Sequence, residues 1–80
     1  MTIDKQLIET VSRTFDLDPS QVSAQTSPSN TPAWDSVGHL NLILELEEVF
    51  QIRFSSAEIP EVNSVERLQQ AISRHAADPK

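Results

Sequence analysis

The chain contains no cysteine, a single glycine, and only six basic residues among 80. Without cysteine there can be neither a disulfide framework nor a cysteine-ligated zinc site. The two histidines, His39 and His75, are too far apart in sequence to read as a local metal motif, so no metal site is expected. No apolar run approaches the ~20 residues that span a bilayer, and Met1-Thr2-Ile3-Asp4-Lys5 lacks a signal-peptide pattern. These absences predict a soluble, cytoplasmic chain that does not insert into membranes, and a monomer is expected. Its length predicts one domain, folded over residues 3–77, with 78–80 as a frayed tail. A domain this small buries only roughly 60–65% of the surface its unfolded chain exposes. Little material is left for a preorganised cleft, which favours a binding or carrier module over an enzyme, and no catalytic residue is assigned.

The shortage of bases is local as well as global. Twelve acids against six Lys and Arg give a formal net charge of −6. Between Asp35 and Glu66 stand seven acids (Asp35, Glu45, Glu47, Glu48, Glu58, Glu61, Glu66) and one base, Arg53. Such a field repels nucleic acid and attracts basic protein surfaces, so the expected partners are proteins with basic patches.

Hydrophobic periodicity is helical throughout. Ile3, Leu7, Val11 and Phe15, with Ile8 beside them, form the stripe of an amphipathic helix over residues 3–15, with Thr2 as its cap and Lys5, Glu9 and Arg13 on the opposite side. Residues 16–35 show no sustained period and hold Pro19, Pro28 and Pro32; residues 19–22 fit one short turn, and Leu17, Val22 and Trp34 are the residues that would pin this loop to the core. A second helix runs over residues 36–50. Leu42, Leu46, Val49 and Phe50 fall in one sector, with Ile43 at its edge, while Val37, Leu40 and Leu44 cluster roughly 180° away. One stripe must face the core; the second is either buried by another element or left for a partner, and with three other modest helices complete burial on both sides is not expected. Ser55 and Glu58 have the spacing of a capping box, opening a helix of one or two turns before Pro60. The last helix, capped by Asn63 or Ser64, carries Val65, Leu68, Ala71, Ile72 and Ala76. The expected fold is all-α, a small four-helix bundle of three longer helices and one short one, with a long loop between the first two.

Ser36, in Trp34-Asp35-Ser36-Val37-Gly38-His39-Leu40, is the one serine of ten placed between an acid and the start of a long apolar helix. The free N–H groups and partial positive charge of a helix N-terminus suit a phosphate-linked group. The bland alternative is an ordinary N-cap, which either Asp35 or Ser36 could supply. A Ser36–His39 hydrolytic pair, three residues apart on one helix, lacks a third orienting group or an oxyanion hole.

Asp35-Ser36-Val37 followed by Leu42, Leu46, Glu47-Glu48 and Phe50 resembles the acyl carrier protein family, whose signature is Asp-Ser-Leu at the start of a helix. The likeness covers nearly the whole chain: helix order, long first loop, and the 54–68 segment leading into the last helix. It implies an acyl-carrier-like fold and a non-enzymatic carrier of acyl or aminoacyl thioesters in fatty-acid, polyketide or other specialised biosynthesis. The cofactor implied is 4′-phosphopantetheine, attached at Ser36 from coenzyme A by a separate phosphopantetheinyl transferase that needs Mg²⁺ only during transfer; Asp35 supports the site. It further implies that acyl-loading and processing enzymes dock on Val37, Leu40, Asn41, Leu44, Glu45 and Glu48. Leu46, Phe50, Phe54, Ile59, Val62, Leu68 and Ile72 would line any acyl-chain cavity, and the two phenylalanines predict a tight one. Val37 replaces the usual leucine, and Asn41 stands where many fatty-acid carriers have an acid. The run from Trp34 to Leu40 looks more like discrete carriers of specialised pathways. A carrier-like module that is never modified, docking a partner through the second helix, is the competing reading.

Overall fold

The computed structural model describes residues 3–77, among which there are three α-helices, one 3-10 turn and no strand. Helix α1 spans Lys5–Phe15. Its cap is Asp4, whose carboxylate accepts from the Gln6 amide at 2.8 Å; Thr2, expected in that role, lies outside the described residues, as does the 78–80 tail. Leu7, Val11 and Phe15 are buried, with Ile3 and Ile8 packed against them, and Lys5, Glu9 and Arg13 are exposed. The helix ends where Asp16 turns left-handed (φ 55°) and Leu17 N–H returns to the Ser12 carbonyl.

The loop that follows is a succession of hydrogen-bonded turns. Pro19–Gln21 forms the 3-10 turn, closed by a reciprocal box between Asp18 and Gln21. Further turns close from Thr26 to Ser23, Asn30 to Ser27 and Trp34 to Thr31, each by a backbone bond near 3 Å. Side chains supply further partners: Ser23 N–H donates to the Thr26 hydroxyl, Ser27 N–H to Asn30 Oδ1, and Asn30 Nδ2 to the Gln25 backbone carbonyl. Val22 and Trp34 are buried and Leu17 packs against the core, which pins the loop as its pattern predicts.

Helix α2 spans Ser36–Phe50 and is the two-sided element. Leu42, Ile43 and Leu46 are buried, and Val49 and Phe50 are half-buried. It ends on a left-handed Gln51, with the amides of Gln51 and Ile52 both returning to the Glu47 carbonyl.

The expected short helix after Ser55 is not formed. Its capping box is present: Ser55 N–H donates to Glu58 Oε1 at 2.9 Å and Glu58 N–H to Ser55 Oγ at 3.2 Å. Ile59 N–H reaches the Ser55 carbonyl, but Pro60 has no N–H to extend the ladder, and residues 56–61 continue as turns. The four-helix expectation is therefore corrected to three α-helices and one 3-10 turn.

Helix α3 spans Val65–Ala77. Ser64 rather than Asn63 caps it, its hydroxyl accepting from Arg67 N–H at 3.1 Å. Two further N-terminal amides, of Val65 and Glu66, donate to the loop carbonyls of Thr26 and Ala24 at 2.9 and 3.1 Å. The long loop thus satisfies helix donors that would otherwise lack partners. Val65, Leu68, Ala71 and Ile72 face the core; the Ala76 side chain, expected on the same stripe, lies outside the described residues.

Near the last turn of α3, His75 Nε2 lies 3.0 and 3.2 Å from the two Glu58 oxygens, and Arg74 adds an ion pair at 3.5 Å. The Ser55 amide bond, aided by His75 and opposed by burial, holds the Glu58 carboxyl below its ordinary value of 4.5. A depressed carboxyl contributes stability above its unfolded-state value and loses it as pH falls through the folded one. Glu58→Gln is therefore expected to lower the urea midpoint at pH 7, and the gap from wild type should narrow as the solution is acidified below the ordinary carboxyl value of 4.5. A gap unchanged in acid would contradict this role for the carboxylate.

Candidate functional site

The start of α2 concentrates the unusual features. Asp35, not Ser36, is the N-cap: its Oδ1 accepts from the Gly38 amide at 2.8 Å. His39 N–H goes to the Asp35 carbonyl, and the amides of Ser36 and Val37 have no partner among the described residues, which leaves them as the free donors of this helix end. Ser36 is the first helical residue and is exposed, and no hydrogen bond among the described residues engages its hydroxyl. Capping is done by the neighbour, which leaves the serine oxygen available for chemistry.

Beside it lies an open hollow of ≈ 330 Å³ lined by Pro28, Trp34, Asp35, Ser36, His39, Pro60 and Asn63. Two prolines and an indole make its walls, and Asp35 is its one carboxylate. Another hollow, of ≈ 290 Å³ between the 58–62 turns and α3, is walled by Glu58, Glu61, Glu66, Arg67 and Arg74 and has no comparable nucleophile.

Trp34 is 2% exposed and stacks on Phe15 of α1, ring centroids 5.3 Å apart. Its indole N–H donates to His39 Nδ1 at 2.8 Å, and His39 Nε2 lies 2.6 Å from the Ile59 carbonyl oxygen. Indole N–H is a donor only and a carbonyl an acceptor only. The arrangement is satisfied by an imidazole with its hydrogen on Nε2. Both ring nitrogens are thereby committed, and His39 is not placed to serve as a base for Ser36.

No protein-family profile and no curated protein matches the chain. Among solved structures, the solution NMR structure of holo acyl carrier protein from Geobacter metallireducens superposes with a TM-score of 0.83. It is 30% identical in sequence, over 96% of this chain and 88% of the other. The chain belongs to the acyl carrier protein family.

In this carrier-family fold the residues expected at the docking face lie together on α2. Val37, Leu40 and Leu44 are 69%, 53% and 64% exposed, an unusual run of large aliphatics for one helix face. Asn41, Glu45 and Glu48 are exposed along the same helix. Glu45 pairs with Arg13 at 3.6 Å, but both side chains are well exposed and the contact is easily exchanged. Glu47 is different: half-buried, it accepts from the Phe54 amide at 3.0 Å and holds the turn after α2. Of the residues expected to line a cavity, Leu46, Phe54, Val62, Leu68 and Ile72 are core, and Phe50 and Ile59 pack against its edge.

The residues that sequence reasoning missed are Trp34 and His39 as a linked pair, together with Pro28, Pro60 and Asn63 as walls. A signal existed for the pair. With Asp35 as N-cap, Trp34 and His39 occupy the N′ and N4 positions, where side chains meet across a helix start.

Gly38 explains why the loop can approach so closely. A Cβ there would overlap the Ala33 carbonyl oxygen and sit 3.0 Å from the Phe15 ring and 3.2 Å from Asp35 Oδ1. Alanine normally stabilises a helix interior by about 1 kcal/mol over glycine. Here the sign is expected to reverse: Gly38→Ala should destabilise by about 1–3 kcal/mol, as overpacking does. Urea unfolding of the two proteins checks it, and a stabilised variant would refute the close approach.

Proposed function

We propose that this chain carries acyl or aminoacyl intermediates on a 4′-phosphopantetheine arm attached to Ser36, in fatty-acid, polyketide or other specialised biosynthesis. The observation that carries the reading is the division of labour at the start of α2: Asp35 caps, and the Ser36 hydroxyl stands exposed beside two free amides. In the attachment step the Ser36 oxygen bonds to the phosphorus nearest the pantetheine of coenzyme A. The pyrophosphate P–O bond breaks, the adenosine bisphosphate half leaves, and the serine proton passes to a base of the transferase or to solvent. The resulting phosphodiester would meet the amides of Ser36 and Val37 and the positive end of α2. Asp35, already ordered by Gly38, has its second oxygen available to the metal that the transferase requires. The residues present fit such a group: a free hydroxyl, an anion-tolerant helix end, and a largely apolar hollow beside them. The arm, when bound, supplies a thiol that forms thioesters, which a cysteine-free chain cannot do for itself.

Incubation with coenzyme A, Mg²⁺ and a broad-specificity transferase is expected to add the mass of one phosphopantetheine, and Ser36→Ala to abolish the addition with the helical spectrum intact. An unlabelled wild-type chain would favour the competing module that only docks. Labelling that persists in the S36A protein would reject Ser36.

The apolar strip supports a docking role on α2. Transferase and cargo-handling enzymes with basic patches would meet Leu40 and Leu44 between Asn41, Glu45 and Glu48. Charges of this kind act mainly on encounter and are screened over about 8 Å at physiological salt. Leu44→Ser is expected to change stability by less than about 0.5 kcal/mol and to lower transferase kcat/KM about five- to ten-fold, by loss of roughly 1 kcal/mol of contact. Equal kcat/KM for the two proteins would remove Leu44 from the interface. For cargo, an alkyl chain entering the bundle would have to displace Leu46, Phe54 and Leu68, all buried. A long chain is accordingly expected to remain largely outside the core.

A further inference from the structure

We propose that His39 is a positioning residue for the modification of Ser36, acting through its two hydrogen bonds to Trp34 and to the Ile59 carbonyl. The proposal rests on the carrier reading above and assigns a role that reading does not contain.

Ser36 lies where the long loop runs into α2, beside turns some twenty residues further along the chain that no short covalent path holds against it. The long loop arrives through Trp34, helix α2 leaves with His39, and the turns at residues 56–61 pass on the far side. His39 bridges them. From α2 it accepts the indole N–H of Trp34 at 2.8 Å and donates to the Ile59 carbonyl at 2.6 Å, twenty residues away. Trp34 is in turn stacked on Phe15, so the connection runs from α1 through the loop and α2 to the 56–61 turns. The hollow at Ser36 is walled by these same parts: Trp34 and His39 themselves, and Pro60 directly after Ile59. Each bond has the polarity its partner demands, and neither the indole N–H nor the Ile59 carbonyl has another hydrogen-bond partner among the described residues. Losing His39 leaves an indole N–H on a side chain that is 2% exposed without its acceptor, and frees the Ile59 segment from α2.

The effect on modification follows. A transferase binds the carrier with Ser36 and its walls in one arrangement. If that arrangement is only fractionally populated, apparent affinity falls by the same fraction. Loss of the bridge should therefore raise KM for the carrier protein, about ten-fold, while kcat and KM for coenzyme A stay near wild type. A residue that merely contributed stability would not produce that split in a protein that remains folded.

The experiment uses the full chain with coenzyme A, Mg²⁺ and a transferase, comparing wild type, His39→Phe, His39→Asn and Trp34→Phe. Phenylalanine keeps a ring but offers neither bond. Asparagine places an acceptor near the position of Nδ1 and is expected to recover part of the KM. Trp34→Phe keeps an aromatic ring against Phe15 but removes the donor and part of the indole's volume, and it leaves the Ile59 bond in place, so it should raise KM in the same direction as His39→Phe but by less, and the double variant should be no worse than His39→Phe alone. Independently of labelling, the single indole N–H resonance should move upfield and exchange faster with solvent in His39→Phe. Circular dichroism identifies any variant that fails to fold; if His39→Phe does, His39→Asn and Trp34→Phe decide the matter. Wild-type KM in folded His39→Phe and Trp34→Phe, or an indole resonance indifferent to His39→Phe, overturns the positioning role while the carrier reading stands. A wild-type chain that accepts no arm overturns the carrier reading itself and takes this role with it.

Discussion

One hydrogen bond, from the Gly38 amide to the Asp35 carboxylate, organises the rest of the site. A helix beginning with Asp-Ser could be capped by either side chain, and the choice decides what the serine can do. A serine that caps has its oxygen directed at its own helix amides. With Asp35 in that role, Ser36 becomes the first helical residue and its hydroxyl is left over. Gly38 is the condition for this arrangement, because the Ala33 carbonyl lies where a larger residue would place its Cβ. The only glycine in the chain therefore permits a close packing of loop on helix. Its conformational freedom is not what matters, since it sits in ordinary helical geometry.

That packing makes the long loop a part of the fold. Thr26 and Ala24 lend carbonyls to the first amides of α3, Trp34 reaches Phe15, and buried Thr26 and Thr31 bond within the turns. A twenty-residue connection in so small a protein would ordinarily be mobile. Here it serves as the adhesive between helix ends, and it delivers Asp35 and Ser36 from a braced position.

Helix periodicity made α1, α2 and α3 legible, since burial of one stripe is enough to specify each. The two-sided pattern of α2 likewise announced that Val37, Leu40 and Leu44 would not all be covered. What escaped were features set by distant partners. The box at Ser55 and Glu58 is real, yet a local start signal says nothing about the missing amide at Pro60 that ends the ladder one turn later. Order in the loop depends on Val65 and Glu66, forty residues onward, and cannot be read from the Pro, Ser and Thr composition that suggests mobility. The Trp34–His39 contact was within reach as an N′–N4 pair. The Ile59 carbonyl was not, because a backbone oxygen twenty residues away carries no side-chain signature. Acids placed in the second half of α2 against the helix dipole, with no basic residue in its last turn, were visible in the sequence but not their division: Glu47 is drawn in as a structural acceptor, while Glu45 and Glu48 stay out.

The exposed strip and the exposed hydroxyl lie on the same rigid element, and that has a geometric consequence. Helical rise separates Ser36 from Leu44 by about 12 Å along the axis, with Val37 and Leu40 between. A partner that grips the aliphatics would thereby locate the serine to within the rigidity of a single helix, with no loop between the surface recognised and the atom used. The remaining freedom is in the walls: the loop at Pro28 and Trp34 on one side, Pro60 and Asn63 on the other. These belong to separate segments, and a helix alone cannot hold them. A link across them, such as His39 makes, is what a preorganised site would need beyond α2 itself. The buried leucines of all three helices hold the bundle together, and the link adds to that the placing of one oxygen.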